Sequence, residues 1–270
     1  YNKNYDIIFP NRKEVSQVTP KNHIRYLTCA DRALEVIICT DSTISYPLHN
    51  HISVFTLGLV IKGSLSVTIG QTSHLYGNGQ TFIIPPYLPH SIDAADSYTL
   101  LSLCIREELF CRCNYDMHIL KACVNKALRS AAVANELSRQ QLVQLTDCLD
   151  SLSGKTELFR QNTGDQFINN LKQRLERAPE NKFSIKDMAQ AACTSKYHLI
   201  RCFKRAVGLT PHQFQLQNRI RKAQRLLSST VTITKAALTA GFCDQSHFIK
   251  HFEKYTGLTP TDYKNSCHRL

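Results

Sequence analysis

Hydrophobic and polar positions follow two different periods along this chain. In the first part the period is two. Ser64–Ile69 alternates strictly, with Leu65, Val67 and Ile69 on one side, as a half-buried strand requires. Leu34–Cys39 is a continuous apolar run, Thr81–Ile84 is another strand stopped by Pro85-Pro86, and Leu100–Ile105 closes the set. Gly63, Gly70, Gly77 and Gly79 punctuate the turns. Short strands over 30–106 with glycine turns predict a small antiparallel barrel or jelly roll. After residue 107 the period lengthens to 3.6. Met117, Leu120, Cys123 and Val124 form one helical stripe, and Leu137, Leu142, Leu145, Cys148 and Leu149 form a second. The pattern leaves open whether these faces pack on the barrel or against a second copy. Ser151–Gly164 is polar and reads as a linker, and Phe167–Leu175 opens a last, helical domain.

That last domain contains a repeat. Tyr197–Phe214 realigns with Ser246–Tyr263 at an offset of 49, with His198/His247, Ile200/Ile249, Phe203/Phe252 and the tetrad Gly-Leu-Thr-Pro (208–211 and 257–260) identical. Two copies are too few for a solenoid and fit two duplicated subdomains. Each copy reads as helix, turn, helix. Ser184 with Asp187 starts a helix through Ile185, Met188, Ala189 and Ala192, and Ser195 caps a second with Leu199, Ile200 and Phe203. Gly208 stops that helix and Pro211 restarts the chain. In the second copy a helix near Ile233–Ala240 breaks at Gly241, Phe242 anchors the turn, Asp244 caps, and Gly257 and Pro260 repeat the stop and restart. Between the copies runs a long helix, Gln213–Leu227. Its face of Ile220, Ala223, Leu226 and Leu227 is apolar, which leaves Arg219, Arg221, Lys222 and Arg225 for solvent.

Charge sharpens the picture. The net charge is +12, yet residues 1–165 carry 15 Lys and Arg against 15 Asp and Glu, while 166–270 carry 18 against 6. Confinement of the whole excess to the repeat-bearing part is the footprint of phosphate binding, because Lys and Arg displace condensed counterions. A helix–turn–helix puts its second helix in the major groove, and two joined by a helix reach successive grooves ~34 Å apart. The longest uncharged apolar run, Val54–Ile61, is too short to span a membrane, and residues 1–20 lack the apolar core of a signal peptide. Eleven cysteines are scattered without a CxxC pair, so they read as small hydrophobes in a reducing cytoplasm. Cys111-Arg112-Cys113, with Cys104 and Cys123 nearby, is the one candidate thiol site.

Over 183–266 the sequence resembles the AraC/XylS family of bacterial transcription regulators. The matching residues are Ala189, Ser195–Phe203, Gly208-x-x-Pro211, Arg219-Ile220-x-x-Ala223-x-x-Leu226-Leu227, Gly241-Phe242-x-Asp244-x-Ser246-x-Phe248, Phe252 and Gly257-x-x-Pro260-x-x-Tyr263. Glu253 departs from the family, where a basic residue is common. The resemblance implies DNA contacts from Lys196, Tyr197, Ile200, Arg201 and Lys204 in the first unit and Gln245, Ser246, His247 and Lys250 in the second. Arg201 can pair bidentately with guanine, Gln245 can read adenine and Lys204 can hold phosphate. About half of the nine are expected to touch DNA; His198 and Ile249 are expected to face inward.

The first part resembles the cupin-like ligand domain of sugar-type members of that family, through Pro47-x-His49-Asn-His51, Gly63 and Gly79-x-x-x-x-x-Pro85-Pro86-x-x-x-His90. On a strand His49 and His51 share a face, and the resemblance places them and His90 at the barrel mouth. The carboxylate of enzymatic cupins is missing; Val54, Phe55 and Thr56 stand there. The three histidines then border a small-molecule pocket, serve structure, or hold a divalent metal; the pocket without metal or cofactor is the reading adopted, with Phe55, Phe82 and Tyr87 as candidate walls. The expectation is an α+β chain: a cupin-like effector barrel over 1–106, a helical dimerisation region and linker over 107–165, and a DNA-binding domain with two helix–turn–helix motifs over 166–270. It is expected to act as a cytoplasmic, non-enzymatic transcription regulator controlled by a small-molecule effector. Double-stranded DNA, a second copy in a homodimer and, if the protein activates, RNA polymerase are its expected partners, with no membrane. The alternative is a cupin-type metal-binding sensor or metalloenzyme fused to a DNA-binding domain.

Overall fold

The computed structural model describes residues 23–29, 33–112, 116–152, 166–229 and 231–269. The polar stretch at 151–164 and the thiols of Cys111 and Cys113 lie almost entirely outside the described residues.

Nine strands build the first part: β1 (His23–Cys29), β2 (Leu34–Ser42), β3 (Tyr46–His49), β4 (Val54–Lys62), β5 (Leu65–Ile69), β6 (Thr72–Tyr76), β7 (Thr81–Ile84), β8 (His90–Asp93) and β9 (Tyr98–Arg106). A six-stranded sheet, ordered β10-β1-β2-β9-β4-β7, faces a four-stranded sheet, ordered β3-β8-β5-β6; β10 (Cys267–Arg269) comes from the end of the chain and runs parallel to β1. The two sheets form an open sandwich that approximates a barrel. β2, β4 and β9 are apolar on both faces because both are covered, which is why their sequences read as continuous runs.

The outer face of the large sheet is covered by α1 (Glu107–Arg112), α2 (Met117–Ser130) and α3 (Arg139–Asp150). Leu120, Val124, Leu145 and Leu149 of those helices are buried in one cluster with Val36, Leu57, Leu103 and Ile105. The helical stripes read from the sequence therefore pack on the barrel. Asp116 caps α2, and Ser138 with Gln141 forms a capping box on α3.

The remaining helices are α4 (Gln166–Arg177), α5 (Ile185–Ala191), α6 (Lys196–Val207), α7 (Pro211–Leu227), α8 (Ile233–Thr239), α9 (Gln245–Thr256) and α10 (Pro260–Ser266). The predicted caps are present: Ser195 accepts from His198 N, Asp244 from His247 N, and Gly208 and Gly257 end α6 and α9 in the left-handed conformation. Gly241 turns at φ +92°, and a Cβ there would lie 2.5 Å from the Glu180 Cα. Around each second helix sits an aromatic core. Phe203 meets Phe214 edge-on at 5.6 Å, and Phe252 meets Tyr263 at 5.2 Å.

The two parts touch extensively. Tyr26 packs against Tyr263 with ring centroids 4.7 Å apart and the rings tilted by 57°, and donates its hydroxyl to the Thr256 carbonyl at 3.0 Å. Both helix-ending glycines lie against the barrel: a Cβ on Gly208 would meet Pro89, and one on Gly257 would meet Ile44 and Tyr46.

Candidate functional site: a cavity between the barrel and the repeat-bearing helices

A cavity of about 380 Å³ lies between the two sheets and is closed on one side by α7. His49, His51, His90, Phe82, Ile84 and Cys104 line it from the barrel; Gln217, Ile220, Arg221 and Gln224 line it from α7. The three histidines converge for a local reason. Antiparallel pairing of β3 with β8 sets His49 directly across from His90. His51 lies beyond the end of β3, so strand alternation alone does not place it; the turn at Asn50 does. Asn50 is fully buried, and its amide donates to the carbonyls of Tyr87 and Val207, which ties the turn to both parts of the molecule. The ring centroids of His49 and His90 are 4.2 Å apart, those of His51 and His90 5.0 Å, and those of His49 and His51 5.2 Å.

Each ring has a defined partner. His49 Nδ1 donates to the Pro47 carbonyl at 2.7 Å and His90 Nδ1 to the Leu88 carbonyl at 2.9 Å. A carbonyl only accepts, so the proton of each neutral ring sits on Nδ1 and the Nε2 lone pair is free. His51 Nδ1 bonds the Thr56 hydroxyl. His90 is fully buried and its Nε2 has no partner. Burial, reinforced for His49 by His90 and for His51 by both neighbours, holds the rings uncharged: His49 is lowered to about 3, His90 to about 4, and His51 well below its ordinary value.

Arg221 overturns one expectation. It was assigned to solvent, yet it turns into the cavity mouth, where its Nη2 donates to the Asn50 carbonyl and its buried Nη1 has no partner. Burial lowers it to about 10, so it stays charged at neutral pH. Arg219 likewise caps the carbonyls of Pro179, Glu180 and Asn181, and Lys222 pairs with Glu180 at 2.8 Å. Of the four basic residues, Arg225 alone is exposed. The helical period was right, but sequence does not show that the second face of α7 meets a barrel.

Two candidate walls are also corrected. Phe55 points to the other side of β4, where it is buried against Phe110 at 4.9 Å, because the outer face of that strand is covered by helices. Tyr87 sits outside the cavity lining, at φ +63°; its hydroxyl bonds Ser53 at 2.7 Å and Lys172 Nζ lies 3.3 Å over its ring. Phe82 does line the cavity, packed over Gly58. Glu176 on α4, with its carboxyl raised by burial, and Arg221 line the cavity although neither stands out by spacing or residue type.

The residues expected to meet DNA lie on the second helix of each unit. Lys196, Tyr197, Arg201 and Lys204 of α6 are exposed and Ile200 is half-buried; Gln245, Ser246, His247 and Lys250 of α9 are exposed. Tyr197, Ile200, Arg201 and Lys204 recur at intervals of three and four, so they share one helical face. His198 is exposed, against expectation, at the same place in its unit as His247, whereas Ile249 packs inward as expected. Arg201→Ala is expected to cost ~1–3 kcal/mol at the cognate site and little on random duplex, as a base contact does. Lys204→Ala should weaken both alike. Gel-shift titrations on the two DNAs check this, and an equal loss for Arg201→Ala on both would make it a phosphate contact.

Residues 33–168, half of the chain, match the AraC-like ligand binding domain family, and residues 188–266 match a helix-turn-helix domain family. The chain belongs to the AraC family. The AraC-family relative MtrA, an HTH-type transcriptional regulator of Neisseria gonorrhoeae, is 35% identical over 101 residues, which is 37% of this chain and 34% of that protein. The match thus spans about a third of that relative's length. YbfI, an HTH-type transcriptional regulator of Bacillus subtilis, matches more of the chain: 26% identity over 231 residues, 75% of this chain and 81% of that one. Among solved structures, ToxT from Vibrio cholerae with unsaturated fatty acid bound has the same AraC-type fold, with a TM-score of 0.54, 13% identity, and coverage of 91% of this chain and 97% of that one.

Proposed function

We propose that the protein is a transcription regulator that reads operator DNA with α6 and α9 and takes a small-molecule effector in the barrel cavity. The observation that carries this reading is the double role of α7. It joins the two helix–turn–helix units and is also a wall of the cavity. A volume of about 380 Å³ is in the range that small ligands fill. The neutral imidazoles offer hydrogen bonds to a polar effector and Phe82 an apolar surface, whereas about half of the nine exposed or half-exposed positions on α6 and α9 meet DNA. On this reading the chain divides into 1–106, 107–165 and 166–270, with the helices of the middle part packed on the barrel. The protein is a regulator, not an enzyme, and works in the cytoplasm as a homodimer; if it activates, it meets RNA polymerase. Among the described residues no helix is long and apolar enough to cross a membrane.

Genome-wide occupancy identifies the operator and the neighbouring genes, and thermal melts against their metabolites identify the effector, since a ligand of the folded state raises the midpoint. A His49→Ala, His90→Ala double variant is expected to bind operator in vitro and to lose the effector response in a reporter strain. Lost operator binding with an intact fold would remove the histidines from the effector role.

A further inference from the structure

We propose that His49, His51 and His90 hold a divalent first-row transition-metal ion, with an anionic ligand completing its coordination from the side of Arg221. The role of the ion in sensing rests on the regulator reading above; its binding does not. One ring nitrogen of each histidine lies within 4.8 Å of the others. Metal–imidazole bonds of ~2.0–2.1 Å bring such nitrogens to ~3.3 Å in a tetrahedral site, a closure of up to ~1.5 Å by ring rotation. The rings are already oriented as ligands. Two Nδ1–H groups are spent on backbone carbonyls, the third Nδ1 is on the Thr56 hydroxyl, and such outer-sphere bonds direct Nε2 to a metal. The buried, unpartnered Nε2 of His90 is a second, independent sign: a native core leaves such an atom unsatisfied at a cost.

The donor set also predicts what else the ion takes. Three neutral imidazoles suit zinc, copper, iron, cobalt or nickel and contribute no negative charge. Among the described residues no carboxylate or thiolate joins the three-nitrogen group. Where a carboxylate would complete the sphere, Thr56 turns its hydroxyl onto His51 instead. The Arg221 guanidinium lines the same cavity as the three rings, and its Nη1 has no partner. Glu35, Glu108 and Glu176 also line the cavity, but none joins the three-nitrogen group, so the anion is placed between the doubly charged ion and the guanidinium, with Arg221 binding its far oxygen or nitrogen. The three histidines line the cavity, so the anion would be the recognised part of a small molecule that enters it.

The test uses the full, tag-free, metal-stripped chain with Co²⁺ as probe and azide as the anion. One equivalent of Co²⁺ is expected to give the visible bands of low-coordinate cobalt, and azide to shift them. His49→Ala and His90→Ala should each weaken Co²⁺ binding by at least ~10–100-fold, the loss that an outer-sphere change alone brings, and Thr56→Val by ~10-fold. Arg221→Gln should keep the cobalt bands and lose about tenfold in azide affinity. Because His90 is buried, His49→Ala decides if circular dichroism shows His90→Ala unfolded. Absent bands at one equivalent, or unchanged Co²⁺ affinity in the folded histidine variants, overturns the site. An azide response untouched by Arg221→Gln overturns the shared anion. Operator binding is measured on the same samples: its failure in the parent chain would sink the regulator reading and leave the cobalt titration standing.

Discussion

Raising the salt concentration from 50 to 200 mM is expected to lower operator affinity by ~10³-fold or more, the loss that accompanies six or more phosphate contacts. Lys196, Arg201 and Lys204 on α6 and Lys250 on α9 are exposed, and Lys186, Arg205 and Lys254 stand exposed close by in the same units. The first 165 residues are charge-balanced, so they add no comparable field. The two units are not equivalent. Glu253 is exposed on α9 at the place where Lys204 stands on α6, so the second unit opposes phosphate where the first attracts it. Glu253→Lys should therefore steepen the salt slope by about one contact. Fluorescence anisotropy across a salt series measures both effects, and an affinity indifferent to salt would dismantle the charge argument.

The second large effect is on stability. Phe252→Ala is expected to destabilise the protein by ~3–5 kcal/mol, the cost of an aromatic cavity in a packed core. Phe252 is fully buried, 5.3 Å from Phe248 and 5.2 Å from Tyr263. Tyr263 in turn packs against Tyr26 of the barrel. Phe203 is its counterpart in the first copy and is equally buried, but its edge-on partner is Phe214 of α7. The two alanine variants should lose similar stability in urea titrations, while Phe252→Ala alone loosens the barrel contact and exposes Tyr26 to solvent. A loss below ~1 kcal/mol would mean that the site collapses around the deletion.

Legibility in the sequence followed periodicity. The helix–turn–helix units were readable because caps, glycine stops and apolar faces are local and were written twice. Strands with clean alternation, such as β5, were readable too. β1, β4, β6 and β8 were missed as strands: β4 is a continuous apolar run without alternation, β6 is exposed along nearly its whole length, and β8 has four residues. β10 was hidden for a different reason, since its pairing with β1 joins the two ends of the chain. The histidines could be picked out by spacing and resemblance, but Phe55 was placed on the wrong side of β4. Both sides of that strand are apolar, so alternation carries no information about direction. Gly208 and Gly257 were read as helix stops, which they are. Their closeness to Pro89 and to Ile44 is a contact between distant segments, and no local pattern encodes it.

On the proposed reading, the placement of α7 also binds operator and effector into one thermodynamic cycle. If a molecule in the cavity changes operator affinity by some factor, operator DNA must change the affinity for that molecule by the same factor. Calorimetric titration of the effector into free protein and into the preformed DNA complex therefore reads the direction of control without a cell. Tighter effector binding on DNA means that the effector recruits the protein to its operator, and weaker binding means that it releases the protein. The size of the change sets an upper limit on how far the effector alone can move the occupancy of a promoter.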